Sequence, residues 1–175
     1  ILTSYINAGA VPDPNYSDNQ LHISDSYFLS DFWYRNTFTL PRGFARDKVF
    51  LNFDGINWKA EVYLNGQQIG RIDGAFIRGQ FEVSKLLREG DNHLAVKILR
   101  NSLPGAIKEQ TAESTGSNGG VIGADNPTFH ASVGWDWIPT IRGRNTGIWN
   151  DVYLTTTGQV QLRDPFVRTE LTPAP

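Results

Sequence analysis

Between Lys48 and Asp54 the side chains alternate, Val49, Leu51 and Phe53 against Phe50, Asn52 and Asp54, a period of two that fits an extended strand and not a helix. Residues 60–64 continue as a second β-rich run, followed by Asn65-Gly66 and then Gln67-Gln68-Ile69-Gly70. Both central residues of a type I′ turn need positive φ, which Asn and Gly tolerate, so these runs are expected to form a tight hairpin. Gln80-Phe81-Glu82-Val83 and residues 93–99 add two strands across Leu86-Leu87 and the turn Glu89-Gly90-Asp91-Asn92, with Leu94, Val96 and Ile98 facing the core.

Residues 32–40 form another strand candidate, with Trp33, Arg35, Thr37 and Thr39 on one face, Phe32, Tyr34 and Phe38 on the other, and Pro41 and Gly43 as its end. Residues 147–155 are expected as a closing strand, Ile148, Val152 and Leu154 alternating with Trp149, Asp151 and Tyr153, although Asn150 interrupts the apolar face. The one helical candidate is residues 2–8, halted by Gly9 and Pro12-Asp13-Pro14. Strands this short and numerous predict an all-β fold, a sandwich or jelly roll. At 175 residues the chain fits one domain that buries about 70% of its unfolded surface.

Charge narrows the partners. A formal net charge of -2, with Lys and Arg scattered singly, supports neither nucleic-acid binding nor a basic membrane-surface helix, and no apolar window spans a bilayer. With no Cys, disulfides and thiolate metal sites are excluded; His22, His93 and His130 share no ligand spacing, so neither a metal nor a cofactor is expected. Met is also missing, even at position 1, which predicts a piece of a longer polypeptide.

From residue 101 to 132 the strand pattern dissolves into Gly, Ser, Thr, Ala and Asn, whereas connections beyond about 12–15 residues in a compact domain are usually binding loops, lids or disordered segments. The middle of this loop, from Ser114 to Gly120, reads as a flexible insertion. The loop leads into Gly134-Trp135-Asp136-Trp137-Ile138-Pro139, and Asn145-Thr146-Gly147-Ile148-Trp149 follows shortly after, so three of the five tryptophans stand close to a carboxylate. A pyranose presents a flat C–H face that covers an indole and hydroxyls that need polar partners, so an acid between two indoles suits sugar. The same residues also suit a core in which the acid satisfies an indole N–H.

The runs Phe50-Leu51-Asn52-Phe53-Asp54-Gly55-Ile56-Asn57, Ala60-Glu61-Val62-Tyr63-Leu64-Asn65-Gly66 and His93-Leu94-Ala95-Val96 resemble the N-terminal sugar-binding domain of glycoside hydrolase family 2. Asn145-Thr146-Gly147-Ile148-Trp149-Asn150-Asp151-Val152 resembles that domain's closing strand, and the resemblance runs from Ile1 to about Leu171. Gly134-Trp135-Asp136-Trp137, with Val11-Pro12-Asp13-Pro14 and Phe32-Trp33-Tyr34, is similar to the branch of β-mannosidases, exo-β-glucosaminidases and mannosylglycoprotein endo-β-mannosidases. Ile138, Arg142, Arg144 and Asn145 are closer to the last two.

The resemblance implies a galactose-binding-like jelly roll over residues 1–160, lacking the first strand that family members carry and so exposing a sheet edge prone to self-association. Residues 161–175 would be a linker or the first strand of a following immunoglobulin-like domain, itself followed by a catalytic (β/α)₈ barrel. Retaining glycosidases need two carboxyls about 5–5.5 Å apart, and the family keeps both on the barrel, so this segment alone is expected to hydrolyse nothing. The implied role is non-catalytic: a loop that walls the active site of an enzyme acting on β-linked mannoside or glucosaminide glycans, outside the cytoplasm. Asp136 is the expected sugar contact. One of Trp135 and Trp137 would face sugar and the other pack inward; Arg142, Arg144 and Asn145 would brace the loop or touch sugar. Trp149 is expected in the core or at a domain interface, and Asp13 and Asn15 near the mouth of the site. An independent carbohydrate-binding module and a purely structural spacer are the alternatives.

Overall fold

The computed structural model describes residues 1–44, 47–102, 106–107, 113, 120–121 and 142–171, and the regular elements among them are mostly short antiparallel strands. Strand β1 (Phe32–Phe38) pairs with β7 (Asn92–Ile98), β7 with β4 (Lys59–Leu64) and β4 with β5 (Gln67–Asp73), giving one four-stranded sheet. A second sheet places β2 (Lys48–Phe53) between β11 (Val152–Thr157) and β6 (Gly79–Glu82). Two short ladders complete the described strands: β3 (Ile56–Asn57) with β10 (Gly147–Ile148), and β8 (Ala106–Ile107) with β9 (Gly120–Val121).

The inward residues of both sheets form one core. Val49, Leu51 and Phe53 of β2 meet Val62 and Leu64 of β4 and Val96 and Ile98 of β7, all at most 2% exposed. Burial of apolar surface on this scale, worth about 25 cal/mol per Å², is the main force that holds two twisted sheets face to face. Strand β2 is covered on both faces, for Phe50 and Asn52 are only 5% exposed. Asn52 resolves its own burial: Nδ2 donates to the Phe50 carbonyl at 3.1 Å and to Thr155 Oγ1 at 3.0 Å, and Oδ1 accepts from Gln80 Nε2 at 2.9 Å.

The sheets meet more tightly along one side than the other. Where β5 faces β6, a methyl group on Gly70 would meet Phe81 Cδ1 at 2.8 Å, so glycine there permits the close approach. On the opposite side, between β1 and β11, an apolar groove of about 420 Å³ remains, lined by Tyr34, Phe38 and Leu94 from one sheet and by Leu51 and Leu154 from the other.

The expected hairpin is present. Asn65 and Gly66 adopt φ of 51° and 85°, and Asn65 Oδ1 accepts from the His93 amide at 2.9 Å, fastening the turn to β7. Beside it Asn92, 0% exposed, accepts from the Arg88 amide and from Asn65 Nδ2 and donates to the carbonyls of Arg88 and Gly90.

The expected strand over 147–155 is two strands in different ladders. Asn150 Oδ1 accepts from the Asp151 amide at 2.8 Å, and this local bend carries the chain from β10 to β11. The helix is as expected, α1 (Leu2–Asn7), with Gly9 at φ 69° just beyond it. Among the described residues three 3₁₀ turns join it: Asn19–His22, Asp25–Phe28 and Arg142–Asn145. Leu2, Val11, Ile23 and Phe28 form a second small core that seats this N-terminal region on the sandwich. After β11, from residue 158 to 171, no described residue is in a strand, and Val160, Leu162, Phe166, Val167 and Leu171 are 79–91% exposed. No described helix is long and apolar enough to cross a membrane.

Candidate functional site

Where α1 meets the 3₁₀ turn Arg142–Asn145, a cavity of about 580 Å³ opens at one end of the sandwich. The turn's seat is set by Phe28, because a methyl group on Gly143 would meet Phe28 Cδ1 at 2.7 Å, and Gly143 holds φ 73°. Beyond the turn, the Ile1 nitrogen donates to the Thr146 carbonyl at 3.2 Å and ties the start of α1 to the start of β10. Tyr34 of β1 forms part of the wall. Burial pushes its phenol above the ordinary value, while a hydrogen bond from the Ile148 backbone opposes the shift, so the hydroxyl stays protonated at neutral pH and is available as a donor.

The opposite lip is aromatic. The Trp149 indole lies over Gly55, its Nε1 donates to the Ala75 carbonyl at 3.2 Å, and its ring meets Phe76 edge-on with centroids 6.3 Å apart. Trp149 is 52% exposed and Phe76 59%, so Trp149 is anchored at the surface rather than placed in the core. Phe76 and the neighbouring Ile77, 50% exposed, were not expected from the sequence; the only signal was an apolar pair in a turn between two strands, after Gly74-Ala75. Among the described residues no carboxylate lines the cavity. Its described walls offer apolar and aromatic surface, hydroxyls and amides, which suit the C–H face and hydroxyls of a sugar.

The long loop is rooted here. The chain leaves the sheet after β7 and returns at the turn Arg142–Asn145, and Asn101 Nδ2 donates to Thr146 Oγ1 at 3.4 Å, so the two ends of the intervening segment meet. Asp31 reinforces the departure: its carboxylate accepts from the Arg100 amide at 2.9 Å and pairs with Lys97 Nζ at 2.9 Å. These bonds hold the Asp31 carboxyl below the usual carboxylate range, the Arg100 amide first and Lys97 next.

Of the residues expected to form a site, Asn145 is exposed, holds φ 55° and lines the cavity. Arg142 and Arg144 lie in the same turn, with side chains outside the described structure. Trp135, Asp136 and Trp137 lie outside the described residues. Asp13 and Asn15 close on one another: Asp13 Oδ1 accepts from the Asn15 amide at 2.9 Å, as turn chemistry requires. Among the described residues no three His, Asp or Glu side chains gather as a metal site; His22 pairs with Asp18 and His93 with Thr37.

A family profile described as glycosyl hydrolase 2 galactose-binding domain-like matches residues 1–150. The mannosylglycoprotein endo-beta-mannosidase of Lilium longiflorum is 37% identical over 171 residues, covering 94% of this chain and 17% of the relative. The exo-beta-D-glucosaminidase of Streptomyces avermitilis is 33% identical over 175 residues, covering 98% of this chain and 16% of the relative. Among solved structures, the beta-D-mannosidase from Dictyoglomus thermophilum superposes with a TM-score of 0.63 at 29% identity, over 88% of this chain and 19% of that one. The chain thus spans about a sixth of the length of these curated relatives.

Proposed function

Since the chain belongs to the glycosyl hydrolase 2 galactose-binding domain-like family, we propose that it is the non-catalytic sugar-binding domain of a retaining β-glycosidase acting on β-mannoside or β-glucosaminide glycans. In this reading the segment between Asn101 and the turn Arg142–Asn145 projects Asp136 and its flanking indoles over the active site of a separate catalytic domain. The observation that carries it is the rooting of that segment at the rim of the aromatic cavity, through Asn101 and Thr146.

The chemistry divides between the domains. This chain supplies apolar wall from Trp149 and Phe76 and, from the loop, one carboxylate that accepts hydrogen bonds from neighbouring hydroxyls; the acid and nucleophile come from the catalytic domain. Asp136 then works as a selector, because a buried acceptor left unpaired by the wrong sugar costs about 1–3 kcal/mol. Trp135 or Trp137 covers the sugar's C–H face, and Arg142, Arg144 and Asn145 brace the loop or reach the sugar themselves. The exposed apolar residues Phe166, Val167 and Leu171 fit a strand that pairs within a following immunoglobulin-like domain. A glycan substrate fits a location outside the cytoplasm.

The test is turnover by the full-length protein, wild type against Asp136→Ala, on aryl β-mannoside, β-glucosaminide and β-galactoside. A loss of about 2–4 kcal/mol in kcat/KM on one substrate is expected. Equal rates on all three, with the variant folded, would remove Asp136 from the site.

A further inference from the structure

On the outer face of the four-stranded sheet, away from the cavity's aromatic lip, two rings stand together in solvent. Trp33 of β1 and Tyr63 of β4 have centroids 5.6 Å apart at an interplanar angle of 43°. Their strands are not neighbours, for β7 runs between them, and the register places Ala95 directly opposite both Arg35 and Tyr63. The small Ala95 side chain leaves room for the rings to meet above it.

A merely structural pair would spend its area covering the sheet, yet Trp33 remains 54% exposed. Charged groups surround the rings. Alternation puts Arg35 on the face of Trp33, and Lys97, Glu61 and Arg71 lie in register on the neighbouring strands. The Tyr63 hydroxyl donates to Glu61 Oε2 at 2.9 Å and Lys97 donates to Asp31, so an acceptor and a donor are fixed in place beside the rings. Among the described residues the Arg35 guanidinium has no ion-pair or hydrogen-bond partner.

We propose that this face is a second sugar-binding surface, on which successive pyranose rings of a β-linked neutral glycan stack on Trp33 and Tyr63 while their hydroxyls bond to Arg35 and Glu61. Two observations favour a glycan over a protein partner. Hydroxyls donate and accept at once, so they match a guanidinium and a carboxylate standing side by side. A protein docked on these rings would also have to desolvate Arg35, Glu61 and Arg71, at a cost of several kcal/mol per unpaired ion, whereas a glycan leaves them partly wet. The rigid sheet and the two-torsion aromatic side chains keep the ordering cost low. The surface needs no residue of the long loop, so it stands or falls separately from the active-site role of Asp136.

Affinity electrophoresis of the full-length protein through gels containing soluble glucomannan tests it. Retardation is expected for wild type and for Asp136→Ala. Trp33→Ala and Tyr63→Ala should each bind about tenfold more weakly, the equivalent of about 1.4 kcal/mol of stacking, with thermal midpoints and aryl-glycoside turnover near wild type. Arg35→Ala, which leaves the rings intact, should weaken retardation to a smaller degree. Unchanged retardation in both aromatic variants overturns the proposal. So does protection of Trp33 from N-bromosuccinimide in the full-length protein, which would mark the face as a contact between domains.

Discussion

Single buried polar side chains do much of the fastening. Asn92 is wholly buried and completes four hydrogen bonds, three that close the 88–92 turn and one that joins it to the Asn65 hairpin. Asn92→Ala removes all four bonds at once and leaves a hole where the amide was, while Asn65 Nδ2 keeps its bond to the Leu86 carbonyl, so a loss of about 1–3 kcal/mol in denaturant unfolding is expected. Asp31 acts through charge. Its carboxyl is held below the ordinary value of about 3.9, so its contribution is complete above that value and is lost as pH falls through it toward the lower folded value. Solvent screening at this partly exposed site limits the effect to about 1 kcal/mol or less. Stability curves against pH for wild type and Asp31→Asn should therefore converge in acid and stand fully apart above about pH 5, where only the wild type carries the charge that pairs with Lys97.

Among the elements, the strands were the legible part of the sequence, and the aromatic lip of the cavity was not. Period-two alternation marks β2, β4 and β7 because one face of each is driven into a shared core, and Asn65-Gly66 marks its turn because few other pairs tolerate two positive φ values. The break between β10 and β11 was blurred, since Asn150 reads as a lapse in an apolar face when it is the residue that turns the chain. The cavity lip escaped because its parts, Phe76, Trp149 and Gly55, are far apart in sequence and joined by packing. That packing makes a prediction. A methyl group on Gly55 would meet Trp149 Cζ2 at 2.6 Å, so Gly55→Ala should swing the indole out, break its bond to the Ala75 carbonyl and cost about 1–3 kcal/mol. A shift in tryptophan emission accompanying the loss of stability would report the displacement.

Across the whole molecule, the sandwich presents three distinct surfaces: a cavity end where the long loop is rooted, an aromatic outer face on the four-stranded sheet, and a far end closed by asparagine bonds. The first and second are chemically alike, indole and phenol rings beside polar groups, but they differ in what supports them. The cavity lip rests on turns and the platform on a regular sheet. A ligand at the lip can therefore be accommodated by loop movement, whereas the platform's spacing is set by strand register.

The unequal closure of the two sheets has a consequence for how the domain comes apart. With β5 and β6 pressed together at Gly70 and a groove left between β1 and β11, the structure is bound along its spine and ajar along its fore-edge. Thermal opening should begin at the loose margin. Amide protons of β11 and β1 are expected to exchange with deuterium well before those of β4 and β7, which lie inside the four-stranded sheet. Melting would then proceed as a page lifting from a book, with the spine the last part to lose its protons.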